Sequence, residues 1–134
     1  MSQNRIALKS PGEILTEWMQ AVNSGDLETV LALYADDAIL IPTFSNRLLK
    51  TPEAIRTYFS RLCEREELSI ALHEKTLTTQ CFQEHLYGMC GIYCWRFAVD
   101  DELLSFEARF SYVLDLQRER PIVHHHSSQI PRMI

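Results

Sequence analysis

The side chains best suited to chemistry in this chain are Arg109, in the segment FEARFSYVL, and the triplet His124-His125-His126, which is followed by Ser127 and Ser128. The planar guanidinium of Arg109 matches a carboxylate through two parallel N–H donors, so a ligand anion is one expected partner. The alternative is an internal ion pair with Glu107 or an acid on a neighbouring strand, because an arginine taken out of water needs an anion beside it. Arg96, in YCWRF, is a second candidate of the same kind. In an extended segment His124 and His126 project on one face and His125 on the other. An imidazole titrates near neutrality and can act as a general base, which makes His124 and His126 the catalytic candidates, with His125 free to face a subunit interface. Two histidines on one strand face could also begin a metal site. No third ligand can be placed, so neither a metal nor a cofactor is expected. Glu107 is the acid best placed to orient either histidine. A carboxylate or tyrosine within hydrogen-bond reach of them would separate an enzyme from a binding module. Trp18 and Tyr34 fall at spacings typical of core and would serve a pocket as apolar walls. Thr43, Ser45 and Asn46 would rim its mouth, unless they only shape a turn.

What must position these groups is a chain of 134 residues, 46% of them hydrophobic, enough for one domain spanning 1–134 with its own core. Its formal net charge of −5 argues against nucleic acid or an anionic membrane as the main partner. No apolar run is long enough to cross a bilayer, and MSQNRIALKS lacks the apolar stretch of a signal peptide. Cys63, Cys81, Cys90 and Cys94 form no CxxC pair and match no common zinc spacing, so they are expected to be buried thiols of a cytoplasmic protein.

Ser10-Pro11-Gly12-Glu13 opens a helix with a capping box and a proline in the first turn, and Gly25 stops it. Ile14, Leu15, Trp18, Met19 and Val22 form its apolar stripe. Asp26 caps a second helix with Leu27, Val30, Leu31 and Tyr34 inward, ended by Asp36-Asp37. Ala38–Pro42 reads as a short strand, and Thr51-Pro52-Glu53 starts a third helix that buries Ile55, Tyr58, Phe59 and Leu62. Four strands are then expected: Leu68–Gln80, Leu86–Val99, Leu103–Leu116 and Pro121–Ile130, with turns at Asp100-Asp101-Glu102 and Gln117–Arg120. Helices followed by consecutive strands predict an α+β domain with helices on one face of an antiparallel sheet.

Alternation sorts the long strands into two faces. Tyr93, Trp95, Phe97, Phe106, Phe110 and Tyr112 lie on one; Arg96, Glu107 and Arg109 lie on the other among small residues. Either the aromatic face packs on the helices and the arginines meet water, or the arginines floor a pocket and the aromatic face is a subunit interface.

The order helix, helix, short strand, helix, long antiparallel strands resembles the cone-shaped nuclear transport factor 2-like fold. GDLETVLALYADDAILIPTFSNRLLKTPEAIRTYF resembles the front half of its SnoaL-like members. FEARFSYVL followed by IVHHHSSQIP is similar to the end of the association domain of calcium/calmodulin-dependent protein kinase II, in its free-standing bacterial form. The resemblance runs from Glu13 to Pro131. It implies three helices on a curved antiparallel sheet and a pocket inside the cone. Arg96 and Arg109 would floor that pocket, with His124, His126 and Ser128 on its wall, and it would take a small carboxylate or other anion. It also implies a homodimer or ring of dimers built through the aromatic face, which favours the second arrangement. The function it implies is a homo-oligomeric binding or association module, with a small isomerase, cyclase or hydrolase using a histidine base as the alternative. The acid that related isomerases carry after ADDA is absent, replaced by Ile39-Leu40-Ile41-Pro42.

Overall fold

A computed structural model describes residues 8–134. Helix α1 (Pro11–Ser24) starts where its capping box places it: Ser10 Oγ accepts from the Glu13 amide and Glu13 Oε1 accepts from the Ser10 amide. Hydrogen bonds from the Ser10 amide first, and then from its hydroxyl, hold the Glu13 carboxyl below its ordinary range. Gly25, at φ 69°, takes the left-handed turn that ends the helix. Helix α2 (Leu27–Ala32) is capped by Asp26 and helix α3 (Pro52–Cys63) by Thr51.

Strand β1 (Tyr34–Ile41) is followed, after α3, by β2 (Ser69–Leu72), β3 (Thr78–Gln83), β4 (Leu86–Val99), β5 (Glu102–Asp115) and β6 (Ile122–Gln129). The sheet order is β1-β6-β5-β4-β2, with β3 also paired to β4. Strands β4 and β5 pair along their whole length through a turn at Asp100-Asp101, both at positive φ, the left-handed pair that a two-residue hairpin needs. The fold is the expected α+β cone of three helices on a curved sheet, but the sheet is mixed, because β1 runs parallel to β6.

Two elements differ from expectation. Tyr34, Asp36 and Asp37 belong to β1 rather than to the second helix. The Leu33 amide closes that helix, and the Leu33 carbonyl then accepts from Ile122 to start the parallel ladder. The expected strand Leu68–Gln80 is broken by a 3-10 turn at Glu74–Thr76. There Thr76 Oγ1 accepts from the Ile92 amide and keeps the β4 edge satisfied across the break. The cysteines are free, but only Cys94 is buried, and Cys81 is exposed.

The aromatic face points inward. Tyr93, Trp95, Phe97, Phe110 and Tyr112 are buried in one core with Trp18 of α1 and Phe59 of α3. The expected aromatic subunit interface is therefore corrected: those rings gain more by covering α1 and α3 than by waiting for a partner. No helix among the described residues is long and apolar enough to cross a membrane.

Candidate functional site

The same orientation turns His125 and Ser127 inward, because directly paired residues of neighbouring strands share a face. Tyr112 pairs with His125 and Phe110 with Ser127. His125 is 2% exposed, stacked on Tyr112 with ring centroids 4.0 Å apart, and no carboxylate, lysine or arginine is buried with it among the described residues.

A chain of neutral hydrogen bonds runs through it. Trp18 Nε1 donates to Tyr34 Oη at 3.0 Å. The Tyr34 hydroxyl is 2.8 Å from His125 Nδ1, and His125 Nε2 is 3.1 Å from Tyr93 Oη. Since Trp18 can only donate, the Tyr34 O–H is free to donate to Nδ1, which leaves the ring proton on Nε2 to reach Tyr93. Burial, reinforced by His124 and His126, pushes the His125 pKa down to about 3, so the imidazole is neutral. Burial likewise holds the Tyr34, Tyr93 and Tyr112 hydroxyls in their protonated forms. Thr43 hydrogen-bonds Ser127 at the upper end of this array. Among the described residues, two buried polar atoms of the array, Trp95 Nε1 and Tyr112 Oη, make no hydrogen bond of good geometry, Trp95 Nε1 only approaching the Tyr93 hydroxyl.

Phe44 covers the array from above. Its ring meets Trp95, Phe97 and Phe106 edge to face at 5.9, 5.2 and 5.3 Å. Its amide donates to Tyr58 Oη on α3 at 3.3 Å. Burial pushes the Tyr58 pKa up to about 12.

Several residues singled out in the sequence lie elsewhere. Arg96 and Arg109 are exposed on the outer face of the sheet, not at the floor of an interior pocket. Desolvating two unpaired guanidinium groups is costly, whereas the rings gain by taking the inside. His126 shares that outer face and bonds Ser128 at 2.7 Å, and Ser128 pairs in register with Arg109. Glu107 bonds His73 at 2.7 Å rather than any of the triplet. His124 is half-buried next to Ile39 of β1. Arg109, His126 and Ser128 thus come together as expected, but outside the cone. Trp18 and Tyr34 do line the interior, through polar atoms as well as rings. No group of three or more potential metal ligands occurs among the described residues. His125, Ser127, Tyr93 and Tyr112 were not singled out as site residues, although parity would have found them: once the aromatic face is turned inward, His125 and Ser127 follow.

A six-stranded sheet with its aromatic side wrapped on three helices is the cone of the nuclear transport factor 2-like class. The family model for the SnoaL-like domain matches residues 12–133, and the chain belongs to that family. No curated protein matches it. Among solved structures it is similar to a Xanthomonas campestris protein provisionally assigned as a calcium/calmodulin-dependent protein kinase II association domain. That pair is 22% identical with TM-score 0.79, over 98% of this chain and 97% of the other. It is also similar to a provisionally assigned dehydratase of the nuclear transport factor 2-like family from Streptomyces avermitilis, 13% identical with TM-score 0.75, over 90% and 94%. A provisionally assigned scytalone dehydratase from Novosphingobium aromaticivorans is 6% identical with TM-score 0.77, over 90% and 81%.

Proposed function

We propose that the chain is a small-molecule-binding domain whose site is the interior of the cone, and whose ligand is an uncharged ring compound bearing a carbonyl or hydroxyl oxygen. The observation that carries this reading is the pair of unpartnered buried atoms, Trp95 Nε1 and Tyr112 Oη, on an aromatic-walled array without buried carboxylates or cations. An unmade hydrogen bond in such a place costs about 1–3 kcal/mol, and a ligand oxygen there relieves it. An anion would find no counter-charge inside, so the carboxylate expected in the interior gives way to a neutral molecule. Access requires Phe44 and its loop to swing away from Trp95.

The array also suits acid–base work on such a ligand. A neutral imidazole held between two hydroxyls can take the Tyr34 proton at Nδ1 while its Nε2 proton moves to Tyr93 and the Tyr93 proton to the ligand; the balance closes when the ligand returns a proton to Tyr34, so the chemistry it suits gives up one proton and takes another, as in a proton shift or the loss of water. The base of the enzyme alternative is then His125, and His124 and His126 do not take that role. The dehydratase assignments of two similar structures agree with that chemistry. The test is equilibrium binding of uncharged cyclic ketones and phenols compared with carboxylates of matched size. The interior reading requires the neutral series to bind and Phe44→Ala to raise its association rate. Binding by the neutral series that is unchanged in Trp95→Phe would refute it.

A second reading, association, is favoured by the outer face of the sheet, where Ile39 is exposed in one row with His124 and half-buried Val113. A homodimer would bury this face instead of the aromatic one. Sedimentation of the wild type and Val113→Lys tests it, with a dimer that becomes monomeric expected and a monomer in both cases contradicting it.

A further inference from the structure

A groove of about 830 Å³ lies between α3, the segment after β1 and the end of β4. Arg47, Arg61 and Arg65 line it, and its apolar wall is built from Phe44, Tyr58 and Phe97. No aspartate or glutamate lines it. Among the described residues none of the three arginines makes an ion pair, whereas Arg56 is bound to Glu28 and Arg118 to Asp37 and Asp115. In a chain with net charge −5, three uncompensated guanidinium groups around one concavity stand out against the rest of the surface. They repel one another, and each has a planar fork of donors with no carboxylate to receive it. The Arg65 guanidinium lies 5.3 Å from the centre of the Phe97 ring, which holds its charge against the aromatic wall.

We infer that this groove binds an organic anion, with a carboxylate or phosphate held by Arg47, Arg61 and Arg65 and an aromatic body laid on Phe44, Tyr58 and Phe97. The volume falls within the range of about 300–1,000 Å³ common for small-molecule sites. The site lies outside the interior array and shares the Phe44 segment with its entrance. Phe44 and Tyr58 form the partition between the two.

The test is titration calorimetry of the full chain with phenylacetate, phenyl phosphate and inorganic phosphate at low and high salt. The wild type is compared with Arg61→Gln/Arg65→Gln and with Arg47→Gln. These three side chains are exposed, and those of Arg61 and Arg65 make no hydrogen bond among the described residues, so the variants are expected to keep the fold. Circular dichroism checks that they do. We expect saturable binding of phenylacetate, phenyl phosphate or both, weakened by added salt and at least tenfold weaker in the double variant. The tighter of the two identifies the head group. Aromatic anions that bind the double variant as tightly as the wild type overturn the site, as does the absence of saturable binding to the wild type at millimolar concentrations. Inorganic phosphate binding as tightly as phenyl phosphate overturns the role of the aromatic wall. Failure here leaves the interior reading standing, because that reading concerns uncharged ligands.

Discussion

Acidification should destabilise this protein through His125 in a pH window that can be calculated. Its folded-state pKa is about 3, set first by burial and then by the neighbouring His124 and His126. In the unfolded chain it returns to an ordinary value of about 6.5. The sign follows: the unfolded state takes up a proton below about pH 6.5 and the folded state does not, so stability is present above that pH and is lost as the pH falls towards 3. Between pH 7.5 and 5.5 the loss from this one group is about 1.4 kcal/mol, and below that it approaches about 1.4 kcal/mol per pH unit. The assay is urea unfolding followed by tryptophan fluorescence from pH 7.5 down to 4.5, on the wild type and on His125→Phe. The variant leaves the Tyr34 and Tyr93 hydroxyls short of a partner and is expected to be less stable by about 1–3 kcal/mol at pH 7.5. That gap should close as the pH falls, because the variant lacks the titrating group. A gap that stays constant over this range would show that His125 is not held neutral, and the proposed proton-passing array would fail with it.

Tyr34→Phe removes the link between Trp18 and His125 and should cost about 1–3 kcal/mol of unfolding free energy by the same urea assay. Gly91→Ala should cost about 1–3 kcal/mol, because the new Cβ would sit 3.1 Å from both Phe110 Cζ and Thr76 Oγ1. Gly88→Ala should cost less than that, although its Cβ would come within 2.6 Å of Phe82, since that ring is exposed and can turn away; thermal melts of the pair check the ranking. Arg109→Ala should change stability by no more than about 0.5 kcal/mol and leave binding of uncharged ring ligands intact, because the side chain stands in solvent without a partner.

The fold was legible because its local signals agree with one another. The Ser10 capping box, the Gly25 stop, the Thr51-Pro52 start and the Asp100-Asp101 turn each act within a few residues. The break at Glu74–Thr76 was not, because it depends on Thr76 meeting Ile92, sixteen residues away, which no local pattern shows. The site was misread at one step. Alternation separates the two faces of a strand but does not say which faces the helices, and the resemblance to an arginine-lined pocket favoured the wrong one. Burial energetics decide it: Tyr93, Trp95, Phe110 and Tyr112 go in, Arg96 and Arg109 stay out, and the buried histidine is the middle one of the triplet. The groove arginines come from a loop and from α3, so only the folded chain brings Arg47 to Arg61 and Arg65.

The central claim is that a ligand enters the cone and satisfies Trp95. The most direct measurement is the Trp95 indole N–H resonance, assigned through Trp95→Phe and followed by nitrogen–proton correlation spectra while uncharged cyclic ketones and phenols are titrated in. A saturable downfield shift of that resonance is expected as the indole N–H gains an acceptor. An indole resonance that stays fixed while backbone signals of the outer sheet face or the arginine groove move would place the ligand elsewhere and contradict it.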